Sequence, residues 1–370
     1  MKYTAILTLM VAVGAMVYAD DASAEPVALA ADSQTQISDA VGRAGMAAVY
    51  LEATDERPAV ALAAGGANFP HAKPGAKTPE ERGEKVFYSD VELILLRGES
   101  AVQSTALQMP RSVAYAAFVP TDKGMLIAGG CNAEGHTSKV SRIDWAGNEL
   151  RVEALPELPR TLAYPAFAVL DHKVYVIGGQ ERADSTVCLS TCYVLDLNDI
   201  NAEWREMAPM PDGRMLAAAG VVDGLIYVMG GCSLRPNERG EAERTYADDV
   251  YCYDPGSNTW AKVDTCMPET LVGMANPLPV IAGKLYVIGG DPGHYYRAAL
   301  AGQAPAEHPG QSKMVYSYTP ADGEWRREGE LPVGVATFPA VTLPGGGFIT
   351  ISGETHPGVR TPLIIYFNAQ

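Results

Sequence analysis

The chain has 370 residues, 47% of them hydrophobic and 19% charged, which is enough to bury one large core or two ordinary ones. A formal net charge of −16 argues against a nucleic-acid or anionic-membrane surface, because both need a basic face. An anionic ligand would need a local positive pocket.

The first element in chain order reads as a secretory signal over residues 1–24. Lys2 precedes an apolar run from Ala5 to Val17, and Val17-Tyr18-Ala19 and Ala22-Ser23-Ala24 both suit cleavage. The run is too short for a spanning helix, and Asp20-Asp21 follows it at once. The mature chain, 25–370, is therefore expected to be periplasmic or secreted, with no membrane segment after cleavage. An oxidising compartment permits disulfides among the six cysteines, and Cys188 and Cys192 are close enough in sequence to bridge locally. Cys252 and Cys266 flank a predicted strand pair out of register.

From residue 41 onward one unit recurs: an apolar strand, a short turn, a strand ending in Gly-Gly, a variable loop, and a strand carrying Tyr with a later Trp. The second glycines are Gly66, Gly130, Gly179, Gly231, Gly290 and Gly353, spaced 49 to 64 residues apart. "VYCYDPGSNTW" and "VYSYTPADGEW" place Trp260 and Trp325 seven residues after Tyr253 and Tyr318. Period and signature match the kelch repeat, so the expected fold is an all-β, six-bladed kelch β-propeller. After Gly353 only "PLIIYF" remains as a strand, which leaves the last blade one short. An N-terminal segment, placed at about Pro26 to Ala30, is expected to supply that outer strand and close the ring.

In an antiparallel blade the loop after the second strand and the loop before the first emerge on one face. Ala67, Cys131, Gln180, Cys232, Asp291 and Glu354 should therefore ring one mouth of the propeller. "VGRAGMAA", "MPRSVAYAA", "LPRTLAYPA" and "MPDGRMLAAA" bring Arg43, Arg111, Arg160 and Arg214 towards the same face, where as a set they suit an anion. Taken singly, each arginine more simply caps a loop carbonyl or meets an acid. Long loops after Gly66, Gly231 and Gly290 should wall the mouth, although "TPEERGEK" in the first reads as solvated.

The last unit departs from the habit: "ISGETHPGVRTP" has Ser352-Gly353 in place of Gly-Gly and puts Glu354 directly after it, with Arg360 close behind. This motif, with "AGMAAVY", "AAGGANF" and "YSDVEL" in the first unit, resembles the N-acetylneuraminate epimerases, sialic acid mutarotases built on a six-bladed kelch propeller. Here the blade with Ala-Gly-Gly-Ala comes first and the Glu blade last, which looks like a cyclically permuted branch of the family. The resemblance implies an isomerase acting on a small acidic sugar, with Glu354 as catalytic base and Arg360 as a substrate-binding arginine. It implies no metal or redox cofactor. Arg360 is always protonated, so it can clamp a carboxylate but cannot serve as the acid. His71, Tyr88, His294, Tyr295 and His356 lie in mouth-side loops as candidate proton donors. Glu354 and Arg360 merely bracing their loop is the plainer alternative.

Three rival functions fit less of the sequence. A secreted, non-catalytic propeller binding a carbohydrate or protein would keep the mouth without needing Glu354 as a base. A copper radical oxidase needs paired His and Tyr ligands, for which "GHYYR" is the one suggestive cluster. A sialidase would carry repeated Ser-x-Asp-x-Gly-x-x-Trp boxes, which are missing here.

Overall fold

A computed structural model describes residues 35–54, 58–72, 79–96, 101–146, 149–199 and 201–367. The signal reading, like Pro26 to Ala30, lies outside the described residues. Six antiparallel propeller sheets follow one another along the described residues, their strands running a to d in chain order in the first five, while blade 6 takes its strand d from the start of the described chain. Strands a and b are Ala44–Leu51 and Val60–Asn68 in blade 1, Ala117–Thr121 and Gly124–Ala128 in blade 2, and Ala166–Leu170 and Lys173–Ile177 in blade 3. Blades 4, 5 and 6 begin with Ala218–Val222 and Leu225–Met229, Val280–Ile281 and Lys284–Ile288, and Ala340–Thr342 and Phe348–Ile351.

Blade 6 has Leu363–Phe367 as strand c, and its outer strand is Thr35–Gln36, with Thr35 opposite Ile364 and Gln36 opposite Leu363. The ring therefore closes by an N-terminal strand, as the missing strand required. Pairing covers an edge that would otherwise offer unpaired backbone groups.

The apolar alternation of each blade buries side chains against the next one. Phe118, Leu126 and Ile143 of blade 2 share a core with Phe167, Val174 and Tyr193 of blade 3. The seven-residue spacing from Tyr to Trp has a physical reason as well. Tyr253 packs on Trp260 and Tyr318 on Trp325, with centroids 4.9 Å apart in both pairs. Each indole also reaches the preceding blade, Trp260 Nε1 donating to the Ala208 carbonyl at 2.8 Å and Trp325 Nε1 to Thr265 Oγ1 at 3.1 Å. All six cysteines are free thiols.

Two closed relays of backbone hydrogen bonds run around the axis. In the first, the second glycine of each pair donates to a carbonyl of the next blade: Gly66 to Val113, Gly130 to Leu162, Gly179 to Arg214, Gly231 to Leu271, Gly290 to Val335 and Gly353 to Arg43. The last of these joins blade 6 to blade 1. In the second, Gly45, Tyr115, Tyr164, Leu216, Gly273 and Thr337 link head to tail at 2.5–3.0 Å, each N–H donating to its counterpart one blade back, with Gly45 donating to Thr337. All six hold positive φ, between 54° and 67°. Gly45 has to be glycine, because a Cβ there would come within 2.5 Å of the Tyr115 ring.

Candidate active site

The residue after each glycine pair sits where the repeat places it. Ala67 pairs with Ala44, and Cys131, Gln180, Cys232, Asp291 and Glu354 make isolated antiparallel bridges to Ala114, Ala163, Met215, Val272 and Ala336. Each bridge partner immediately precedes a member of the inner relay. Glu354 is thus fixed through its backbone: its N–H donates to the Ala336 carbonyl and its own carbonyl accepts from Ala336 N–H, both at 2.8 Å. Asp291 is held in the same way one blade earlier, by Val272.

Beyond Glu354 the chain makes a short hairpin, Glu354–His356 with Val359–Arg360, turning through Pro357-Gly358. Glu354 and Arg360 are cross-strand partners in it. That register brings Arg360 Nη1 to 2.5 Å from Glu354 Oε2. The Arg360 side chain is 2% exposed and that of Glu354 22%. Neither Arg360 Nε nor Nη1 has a partner in hydrogen-bond geometry, so the contact with Glu354 is an ion pair by proximity.

Both residues line a cavity of about 360 Å³ over the centre of the mouth, within the usual range for small-molecule sites. Tyr115, Leu216 and Thr337 of the inner relay line it, and the same three residues also line a second, smaller pocket of about 60 Å³. Its walls come from the three long loops, as expected from their length. Blade 1 contributes Phe69, Arg82 and Lys85, blade 4 Arg244, and blade 5 Asp291 and Gln311. Four cations thus face two carboxylates, a local positive field in an acidic chain. Arg82 and Lys85 belong to the "TPEERGEK" stretch, which is therefore not simply a solvated fringe.

Burial pushes the Glu354 carboxyl above the ordinary value for a glutamate. Arg360 opposes that shift most, Lys85 and Arg82 add to the opposition, and Asp291 reinforces the rise. A carboxylate raised towards neutrality is a stronger proton acceptor than an exposed one.

The four arginines expected at the mouth are not in this cavity. Arg43 is buried, with Nε 3.0 Å from Asp39 Oδ2, Nη1 2.9 Å from Asp90 Oδ1, and its guanidinium 3.7 Å from the Tyr88 ring centre. Arg214 is 2% exposed and 2.6 Å from Asp249. Arg43, Arg214 and Arg111 each donate to the carbonyl of the first glycine of a pair, Gly65, Gly230 and Gly129 respectively. The simpler reading of each one wins: a glycine pair turning at positive φ leaves a carbonyl that a nearby guanidinium satisfies. Arg160 is an exposed side chain 3.7 Å from Glu181.

The candidate proton donors scatter. Tyr88 donates to Asn68 Oδ1 at 2.9 Å within the Arg43 network. His71 and His294 are exposed. Tyr295 and His356 flank His308, with centroids 4.6 and 5.8 Å from it, beside the hairpin. Among the described residues no group of three or more His, Cys, Asp or Glu side chains is placed to hold a metal ion. No described helix is long and apolar enough to cross a membrane.

The family model for N-acetylneuraminate epimerase matches residues 155–311, from the end of blade 2 into blade 5. The chain is 34% identical over 190 residues to the N-acetylneuraminate epimerase of Haemophilus influenzae (strain PittEE), a match covering 46% of this chain and 49% of that one. It is 30% identical over 193 residues to that of Yersinia enterocolitica, covering 46% and 48%. The chain thus spans about half the length of the curated relatives it matches. The solved structure of YjhT aligns with a TM-score of 0.48 at 25% identity, over 57% of this chain and 64% of that one. Over residues 155–311 the chain is similar to the N-acetylneuraminate epimerases.

Proposed function

We propose that the chain is a mutarotase, an isomerase interconverting the α and β anomers of N-acetylneuraminate or a closely related acidic sugar. The observation that carries this reading is the Glu354–Arg360 pair, held by a rigid ring in a cationic cavity of small-molecule size. Glu354 takes the proton of the anomeric hydroxyl while water protonates the ring oxygen and the bond between C2 and the ring oxygen breaks. When the open 2-keto form recloses on the other face, Glu354 returns its proton to the C2 oxygen and the ring oxygen gives its proton back to water. General acid–base catalysis contributes about 10² to 10⁴ in rate, which suffices because anomers already interconvert unaided. Arg360 orients Glu354 through their ion pair.

Residues 155–311 stop short of Glu354, so the family likeness and the site geometry are separate supports. A half-length match is also what a linear comparison returns for chains that share a ring but differ in where it is cut, which favours the permuted branch. We place the mature chain in the periplasm or outside the cell, on the strength of its first 24 residues. A binding propeller is the second reading, because an ion pair can brace a hairpin without doing chemistry.

The deciding experiment follows anomeric proton signals by NMR after α-N-acetylneuraminate is released from a sialoside. It compares the wild-type chain, Glu354→Gln and no protein. Acceleration by wild type alone establishes turnover and base together. No acceleration by wild type rejects the mutarotase reading and leaves the binding propeller.

A further inference from the structure

Glu354 stands between two walls of opposite chemistry. On the blade 1 side are Arg82 and Lys85, and on the blade 5 side are Asp291 and Gln311. In the blade 1 wall, the Lys85 ammonium lies 4.5 Å from the centre of the Tyr115 ring and 5.2 Å from that of Phe87. Arg82 crosses the turn of the catalytic hairpin, where a Cβ on Gly358 would fall 2.3 Å from its Cδ. Phe69 sits between two guanidinium groups, 5.9 Å from Arg82 and 5.5 Å from Arg360. The ion pairs nearby join Arg43 to Asp39 and Asp90, and Arg360 to Glu354.

The blade 5 wall offers acceptors. Gln311 is 9% exposed, and its Oε1 is buried without a hydrogen-bond partner. Its backbone cannot retreat. Its N–H donates to the Thr355 carbonyl at 3.2 Å, and its own carbonyl lies 2.0 Å from where a Gly334 Cβ would stand. Asp291 accepts from Tyr246 OH through Oδ2 and from Gly293 N–H through Oδ1, both at 2.8 Å, so lone pairs remain on each oxygen. A buried acceptor with no partner is matched by a ligand donor, an amide N–H or a hydroxyl.

Resting on the mutarotase reading, we propose that the sugar lies across the cavity in one orientation. Its carboxylate is received by Lys85 and Arg82 on blade 1, and its hydroxyl or acylamino donors by Gln311 and Asp291 on blade 5. Arg360, already committed to Glu354, is then a positioning residue for the base and only a secondary contact for the ligand's charge. This orientation puts the carbon that bears the carboxylate, which is the anomeric carbon of a 2-keto sugar acid, on the side of the Glu354–Arg360 hairpin.

The test is calorimetric titration of the full chain with N-acetylneuraminate and with its neutral methyl ester. Wild type, Lys85→Gln, Arg82→Gln and Gln311→Leu are compared. Wild type is expected to prefer the acid. Lys85→Gln and Arg82→Gln should each erode that preference by about tenfold or more, leaving ester affinity in place. Gln311→Leu should weaken acid and ester alike. A preference retained in both cation variants, the lack of one in wild type, or unchanged affinities in Gln311→Leu would overturn the orientation. Binding without anomer acceleration in the NMR assay rejects the mutarotase reading alone, because affinity is read independently of turnover.

Discussion

Ser352 is the one first-glycine position of the six that is not glycine, and it still holds φ 58°. A side chain in the left-handed region costs about 1–2 kcal/mol, so something must offset it. The Ser352 hydroxyl accepts from Arg43 N–H at 2.7 Å. It also lies 2.8 Å from the Arg43 carbonyl and 2.7 Å from the Thr361 carbonyl, to either of which its one proton can go. It therefore ties blade 6 to blade 1 and to the strand end that carries Arg360. Ser352→Ala keeps the strained backbone, loses two buried hydrogen bonds worth about 0.5–1.5 kcal/mol each and leaves the Arg43 N–H without an acceptor. The expected loss is about 2–4 kcal/mol. Ser352→Gly loses the same bonds but relieves the strain, so it should recover roughly 1 kcal/mol of that loss.

Thermal and urea unfolding of the three chains, side by side, measure this. With an unfolding entropy of about 2.1 cal/mol/K per residue, each kcal/mol is worth about 1.4 °C in a domain of this size, so Ala should lower Tm by about 3–6 °C and Gly by about 1 °C less. A Gly variant as stable as wild type would show that the hydroxyl does not hold the junction. Equal losses in the two variants would show that the backbone is not strained. Either result would refute the reasoning.

Glu354→Gln should lower kcat by about 10² or more while the fold persists, as read by NMR exchange rates and circular dichroism. In the pH profile of kcat/KM, the acid limb should lie above the ordinary glutamate range, because burial raises Glu354. Arg360 holds the value down, so Arg360→Met should move that limb further up, with activity lost at a higher pH than in wild type; a downward move would reverse the assignment. Arg214→Met removes the buried partner of Asp249, which keeps Lys262 at 3.4 Å, and should cost about 3 kcal/mol in urea unfolding, the lower end for a broken buried pair. Arg160→Ala should change stability by under about 1 kcal/mol and leave affinity untouched, its ion pair being exposed.

The repeat was legible because a strand that must turn at positive φ beside a neighbouring backbone selects glycine, and two in a row recur too regularly to be chance. Ring closure followed from counting strands. The strand that does the pairing, Thr35–Gln36, is only two residues long and has no apolar alternation to mark it. The mouth arginines show a different limit. Sequence can say which face a residue approaches, but not whether a carbonyl waits within reach, and for Arg43, Arg111 and Arg214 one does. The cations that line the cavity beside Arg360, namely Arg82, Lys85 and Arg244, sit in long loops whose polar composition looks like any solvated segment. The inner relay left no trace in sequence, because its members range from glycine to tyrosine and share only a backbone conformation.

That relay also explains how one position in six can carry a glutamate into the cavity. Each blade hands its backbone to the next through two rings that close on themselves, so the residue after each glycine pair is placed by main-chain bonds and not by its own side chain. Side chains there are free to differ: Ala67 and Cys131 pack inward, while Asp291 and Glu354 face the cavity. A glutamate in a purely apolar setting would hold its proton, and one fully neutralised by cations would be a poor acceptor. At Glu354 burial pulls one way, with Arg360, Lys85 and Arg82 pulling the other. The long loop of blade 1 supplies two of those three cations and blade 6 supplies the acid, so basicity is set at the seam where Gly353 and Ser352 bind Arg43 and the ring closes.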